Sequence, residues 1–431
     1  YLQGSKLQSV ALKGCEIGNE GARHLAKSLA KSVLTELNVN SNNIGNEGAI
    51  CIADVLPGSK LKMLNLGRNE IGDDGAARLG LGLQGSNVAK INLFGNKIGD
   101  VGAVAFAKCF DNKSSQVKDV NLGRNEISDI GAIGLADHLS NDSSLTILKL
   151  DGNKKIGVPG AISLYDKVVH RKTTLLTSLK LDPNKESDSE QGREQKDLLG
   201  AFVSMKFKNN EMCGKQVAAS PAVVAGEAAP EAAPALVPAP APVAQAEAHV
   251  TVQDEAVVAG EAAPEAAAPP DAPTQAISAE GQGAHAMEAA KRWDLDLTST
   301  TMEITQLEDD KKLSSADDAL LVKALVCLPN LTSLDLSENK LDDAAVGIIA
   351  SALELPTCRL TTLKLENNNF RNSGVLSIAK LLSKSKLTTL HLGGNRLQAS
   401  GAINLSKYLQ GSKLQSVALK GCEIGNEGAR H

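Results

Sequence analysis

Leucine, or an aliphatic residue in its place, returns at fixed intervals along most of this chain. The pattern is L-x-x-L-x-L-x-x-N-x-I/L, followed by a glycine-containing turn and a helical segment. Leu34, Leu37, Val39, Asn42 and Ile44 make one copy, and Leu61, Leu64, Leu66, Asn69 and Ile71 the next. Others begin at Val88, Val117, Leu145 and Leu176, then, after a long interruption, at Leu331, Leu360, Leu387 and Leu414, mostly 27 to 29 residues apart. A unit this short cannot bury its own apolar face, so a chain built from it must stack neighbours into one continuous core.

Each position in the unit has a physical task. The two leucines of L-x-L point to one face, because a strand alternates its side chains, and the residue between them points outward. The asparagine turns inward at the strand's end, where its amide can satisfy backbone groups of adjacent turns. Cys15 holds that place in one copy and reads as a buried ladder thiol. The turn Ile44-Gly45-Asn46-Glu47-Gly48-Ala49 recurs from Ile71 and from Ile98. Asn46, Asp73, Asp100 and Asp129 are expected to cap the helix that follows each of them. Gly48, Gly75, Gly102 and Gly131 are expected to let that helix pack closely on the sheet, with pairs such as Phe106 and Phe110 facing inward.

These copies resemble leucine-rich repeats of the long, ribonuclease-inhibitor-like type. The resemblance implies an α/β solenoid, a horseshoe with a parallel sheet inside and helices outside. The expected organisation is leucine-rich repeats over 1–184 (about seven), a closing cap over 185–216, a linker over 217–287, a cap at the start of the second array over 288–329, and about four more repeats over 330–431. This makes two solenoid pieces joined by a disordered linker. The repeat arrays of nucleotide-binding immune receptors and of Ran GTPase-activating protein are similar.

Residues Tyr1 to His24 and Tyr408 to His431 are identical, whereas other repeats have diverged. Tandem 407-residue units, a frame read past one lap of a circular template, and an assembly artefact all account for this. Both cuts fall inside a repeat, the mark of a fragment with raw edges open to end-to-end association. If the pieces join in register at these ends, one array runs from about Leu331 through the junction to about Asn184.

Val217 to Met287 holds ten of the 15 prolines and nine acids with no Lys or Arg, and it repeats AVVAGEAAPEAA. With little large apolar surface to bury, it reads as an extended, solvated spacer. In the cap before the second array, Trp293, Leu295 and Leu297 alternate as a strand would, and Ser315 to Asp318 read as the start of a helix over Ala319 to Leu328.

No chemistry-bearing motif appears: no phosphate loop, HExxH, EF-hand loop, GxSxG or kinase signature. Seven cysteines form no CxxC pair, and the paired acids Asp317-Asp318 and Asp342-Asp343 sit at helix starts. Aromatics at 2% and a formal charge of −5 argue against a base-stacking or phosphate-seeking surface. No apolar run has membrane-spanning length. The expectation is therefore a non-enzyme without cofactor or metal that meets neither nucleic acid nor membrane, and the resemblance implies a cytosolic or nuclear scaffold with a protein partner.

The candidate site is the outward face of the sheet. Asn38, Asn65, Asn92 and Asn121 occupy the position between consensus leucines in four successive repeats, forming an amide stripe. Arg68 and Arg124 lie just beyond it, with Phe94 in the intervening repeat one place earlier in its loop. Lys149 and Lys180 lie on one side, and Asp335, Glu338 and Glu366 on the other if the array joins. The expected function is a protein-interaction scaffold binding on this concave sheet. The alternative that the resemblance implies is activation of a small Ran-like GTPase, although no activator residue can be matched.

Overall fold

The computed structural model describes residues 4–111, 115–139, 144–170, 176, 178–181, 207–208, 211–212, 279–305, 312–313 and 316–430. All of them fall in one compact unit spanning 1–214 and 276–431, and a second unit, 215–275, lies outside the described residues.

The strands are three residues long and supply one rung each. They are β1 (Ser9–Ala11), β2 (Glu36–Asn38), β3 (Met63–Asn65), β4 (Lys90–Asn92), β5 (Asp119–Asn121), β6 (Ile147–Lys149) and β7 (Ser178–Lys180). A separate antiparallel hairpin, β8 (Phe207–Lys208) and β9 (Glu211–Met212), follows. Then come β10 (Thr301–Glu303), β11 (Ser333–Asp335), β12 (Thr362–Lys364), β13 (Thr389–His391) and β14 (Ser416–Ala418). Apart from the hairpin these form one twelve-stranded parallel sheet in the order β10 to β14, then β1 to β7. The two-block solenoid expected from the repeats is what forms, and its blocks meet edge to edge. At the junction β14 pairs with β1, identical residue on identical residue: Ser416 with Ser9, Val417 with Val10, Ala418 with Ala11.

Helices follow the strands and pack on one face of the sheet, which leaves the other face open. Consensus leucines such as Leu37, Leu64, Leu66 and Leu93 are buried in a core that runs through both blocks and the junction. The ladder asparagines behave as their position predicts. Asn96 Nδ2 donates to the carbonyls of Leu66 (3.1 Å) and Leu93 (2.9 Å), while its Oδ1 accepts from Ile71 N (3.0 Å). One amide thus satisfies backbone groups of two turns that no water reaches.

Helix capping differs from the expectation. Asn46, Asp73, Asp100 and Asp129 are each the first residue of their helix, and their carboxylates or amides reach across to the next repeat. Asp129 Oδ1 accepts from Gly157 N (2.8 Å) and Gly160 N (2.9 Å), and Asp100 Oδ1 from Ser128 N (2.7 Å) and Gly131 N (3.0 Å). Asp342 Oδ1 caps its own helix at Ala345 N (2.9 Å), but these helix starts are capped by their neighbours, so stacking and capping are one event there. Asn426 does the same across the junction, accepting from Gly18 N (2.7 Å) and Gly21 N (2.9 Å). The close approach read at Gly48 is present: a Cβ there would lie 2.8 Å from Ile44 Cγ2 and 2.9 Å from Ala22 Cβ.

The two identical segments do not fold identically. Gly18 is extended at φ −97°, but its twin Gly425 is left-handed at φ +63°. The difference is the next rung. Beyond Gly18 stands Asn42, whose Oδ1 accepts from Ile17 N, whereas beyond Gly425 stands Cys15. A thiol cannot accept as an amide does, so Gly425 N turns to Cys15 O (2.8 Å) and Cys15 Sγ donates to Leu419 O (2.9 Å). One repeat earlier the same substitution at Cys422 places Gln398 at φ +52°, with its N–H on Cys422 O (2.9 Å). That detour leaves Asn372 Oδ1, the cap for this turn, buried without a partner. Desolvation pushes the Cys422 thiol up to about 12 and raises Cys15, so both are protonated donors. Cys422→Asn is expected to return Gln398 to extended backbone, engage Asn372 and add about 1–2 kcal/mol of stability in urea unfolding. An unchanged midpoint would remove the thiol as the cause.

The cap before β10 also departs from the alternation read in the sequence. Trp293 ends a helix, Ala279–Trp293, which straddles the linker boundary placed at 287, and the strand is Thr301–Glu303 with Met302 buried. Asp294 and Asp296 prevent a strand between them: Asp294 is left-handed, and Asp296 Oδ1 accepts from Thr298 N (2.9 Å) and Thr298 Oγ1 (2.7 Å). The next helix begins at Ala316. Its Asp318 is buried against Arg292 (2.8 Å), tying the two cap helices together. The closing cap over 185–216, apart from the hairpin, and the linker as far as 278 lie outside the described residues.

Candidate functional site

Side chains at the third position of each strand stand on the open face in register. Asn38, Asn65, Asn92 and Asn121 are neighbours across β2 to β5, as the sequence reading placed them. Each half-buried amide turns its oxygen onto its own loop. Asn65 Oδ1 accepts from Gly67 N (3.1 Å), Asn92 Oδ1 from Phe94 N (3.0 Å) and Asn121 Oδ1 from Gly123 N (3.0 Å), and Asn38 does likewise with Asn40 N (3.1 Å). The stripe thus shapes the loops that follow it, and its NH2 groups are the donors left to the open face.

Those loops carry two parallel rows. In the first, Gly67, Phe94 and Gly123 stand side by side; in the second, Arg68, Gly95 and Arg124 do. Large and small alternate in both, in opposite phase. The Phe94 ring lies between the two arginines, with Arg68 Cζ 6.0 Å and Arg124 Cζ 5.5 Å from its centroid. The glycines make the room: a Cβ on Gly123 would come within 3.1 Å of Phe94 Cδ2, and one on Gly95 within 3.3 Å of Arg68 Cγ. Arg68 and Arg124 are exposed and Phe94 is half-buried. Each cation–aromatic contact is worth about 0.5–1 kcal/mol at such exposure.

The backbone here is strained. Arg68 (φ +53°) and Arg124 (φ +50°) are left-handed, as is the same turn position in other repeats, whether it holds Ser41, Glu338 and Asn367 or Gly95 and Gly152. A side chain in that region costs roughly 1–2 kcal/mol that glycine would not, a cost set by the repeat's turn and shared by Ser41, Glu338 and Asn367.

Three nearby acids are engaged elsewhere. Asp119 pairs with Lys90 (3.3 Å), Asp151 with Lys180 (3.1 Å) and Glu70 with Lys97 (3.3 Å). Among the described residues, Arg68 and Arg124 have no carboxylate within ion-pair distance. Toward the other edge the acids expected from the sequence are present but partly neutralised. Asp335 meets Lys364 at 3.0 Å, and Glu366 lies 4.0 Å from His391. Burial pushes the Asp335 carboxyl up, but hydrogen bonds from Ser337 and Lys364 outweigh it and hold it below the usual range.

Sequence reasoning missed a second feature. At the second position of successive helices, Glu20, Glu47 and Asp74 give way to Val101, Ile130 and Pro159, and Val101 (73% exposed) and Ile130 (72%) face solvent beside Ile133 and Ile162. The signal was there in the helix register. Elsewhere, an apolar cleft beside the junction, lined by Leu7, Leu25, Leu405, Leu409 and Leu419, brings few polar groups together. No group of three or more His, Cys, Asp or Glu among the described residues could hold a metal ion, and none of their helices is long and apolar enough to cross a membrane.

Comparison with known proteins is informative at the level of family. The family described as Leucine Rich repeat matches ten stretches, residues 5–26, 30–53, 59–80, 86–107, 113–136, 141–164, 327–347, 358–379, 383–406 and 412–430, just over half of the chain. No curated protein matches. Among solved structures, an internalin from Listeria monocytogenes is 14% identical, covering 95% of this chain and 86% of its own, with a TM-score of 0.26. The actin-binding site 2 of leiomodin-1 is 18% identical over 42% of this chain and 85% of its own (TM-score 0.27). A toll-like receptor, TLR13 in complex with ssRNA13, is 16% identical over 92% and 50% (TM-score 0.21).

Proposed function

This chain belongs to the leucine-rich-repeat family, and from that premise we propose that it is a non-catalytic scaffold whose open sheet face binds a protein partner around Arg68, Phe94 and Arg124. Domains of this family are in general protein-interaction scaffolds, and a long parallel sheet with one uncovered face offers them the surface. The observation that carries the assignment to these residues is the Arg–Phe–Arg stack, since arginines and a half-buried aromatic are what interface hot spots are made of. The six cysteines among the described residues are all free thiols, which suits the reducing cytosolic or nuclear setting we assign to it.

The partner is tested by affinity capture with the full chain, followed by titration of the captured protein. Phe94→Ala is expected to weaken binding about 30-fold or more, the scale of a 2 kcal/mol hot spot. The urea midpoint should move little, because the ring is only half-buried. Equal affinity for wild type and variant would remove these residues from the interface. Activation of a Ran-like GTPase, the other reading, is checked in the same preparation: GTP hydrolysis by such a GTPase is expected to be unchanged.

A further inference from the structure

Resting on that reading of the surface, we propose that the segment it receives is an amphipathic helix lying across the strands, with carboxylates at i and i+7 and an aliphatic residue at i+3 or i+4 between them. The outward polar atoms here are donors almost without exception. The four stripe amides have given their oxygens to loop N–H groups, and the guanidiniums of Arg68 and Arg124 accept nothing. Three acids nearby, Asp119, Glu70 and Asp151, are held by Lys90, Lys97 and Lys180, and among the described residues neither guanidinium has a carboxylate within ion-pair distance. A donor-rich patch calls for a partner rich in acceptors, and a guanidinium is matched two-pronged by a carboxylate.

The spacing selects the partner's conformation. Arg68 and Arg124 follow β3 and β5, two strands apart, so their backbones are separated by about 10 Å. In an extended segment, residues on one face recur at about 6.8 and 13.6 Å, neither of which fits. Two helical turns, i to i+7, advance about 10.5 Å and return to the same face. The residue midway between them meets Phe94, whose centroid lies 6.0 and 5.5 Å from the two guanidinium carbons. Acid, aliphatic, acid on the partner would then oppose arginine, phenylalanine, arginine on this chain.

The test uses the full chain and three fluorescent peptides of equal charge and length, read by anisotropy. One is a stabilised helix with Glu at i and i+7 and Leu at i+4. The second is the same helix with the second Glu moved to i+5, which turns it to another face. The third carries the first sequence with a central Pro. The first peptide is expected to bind at least tenfold more tightly than the other two and to lose that advantage against an Arg68→Glu, Arg124→Glu double variant. Equal binding of all three, or no binding by any, would overturn the acidic-helix inference. Should that happen while Phe94→Ala still weakens the captured partner, the surface stands and only its occupant is wrong. If Phe94→Ala changes nothing, the surface itself falls.

Discussion

Asn96→Ala is expected to destabilise the protein by about 3–5 kcal/mol, more than most single substitutions in its core. The side chain is small, so lost apolar contact contributes little. The cost comes from three buried backbone groups, Leu66 O, Leu93 O and Ile71 N, each losing its partner, and an unsatisfied buried donor or acceptor costs about 1–3 kcal/mol. Relaxation of the turn reduces the sum, as the detours around Cys15 and Cys422 illustrate. Urea unfolding measures the effect. A loss under 1 kcal/mol would mean that the rungs stack on apolar contact alone.

Gly21→Leu is expected to unseat the junction between the two blocks. Gly21 lies in the helix Asn19–Leu29, where a Cβ would stand 2.8 Å from Asn426 Oδ1 and 3.2 Å from Ala429 Cβ. A leucine therefore pushes against the helix Gly425–Arg430 and drives Asn426 off Gly18 N and Gly21 N. Overpacking of this kind costs about 1–3 kcal/mol, and the lost cap adds about 1 kcal/mol. No peptide bond joins β14 to β1, so the loss falls on non-covalent contacts such as Leu419 N to Ala11 O (2.8 Å) and Gly421 N to Lys13 O (2.8 Å). Limited proteolysis should show cleavage near both ends appearing in the variant before any in the remaining repeats. Unchanged protection would contradict the fit of this helix pair.

Period and register made the fold legible. Leucine spacing placed the repeat strands β1 to β7 and β11 to β14, though not β10 or the β8–β9 hairpin, and the ladder asparagines bond as their position in the unit requires. The open-face positions of Asn38, Asn65, Asn92 and Asn121 followed from strand alternation alone. What the letters could not supply is whatever depends on the neighbouring repeat. Asp129 looks like a cap for its own helix, and only stacking shows that it serves Gly157 and Gly160. Gly18 and Gly425 share a 24-residue context and differ in φ because one faces Asn42 and the other Cys15. The stack at Phe94 was visible as three residue types in adjacent repeats. Its ring-on-guanidinium geometry, and the lysines that occupy the neighbouring acids, were not. Asp294 and Asp296 broke an alternation that otherwise read as a strand, since a short polar side chain that bonds its own backbone competes with a ladder.

The twelve strands form one sheet only if β14 and β1 meet inside the same molecule. Ser9 and Ser416 are opposed there on the open face, and parallel neighbours about 4.8 Å apart lie within the Cα separation of roughly 4.4–6.8 Å that a disulfide tolerates. Ser9→Cys, Ser416→Cys protein should therefore form, on mild oxidation of a dilute monomer, a bond between positions 9 and 416 of one chain, seen as the loss of two free thiols in protein that still runs as a monomer on a non-reducing gel. No such bond, or one found only between chains, would contradict it.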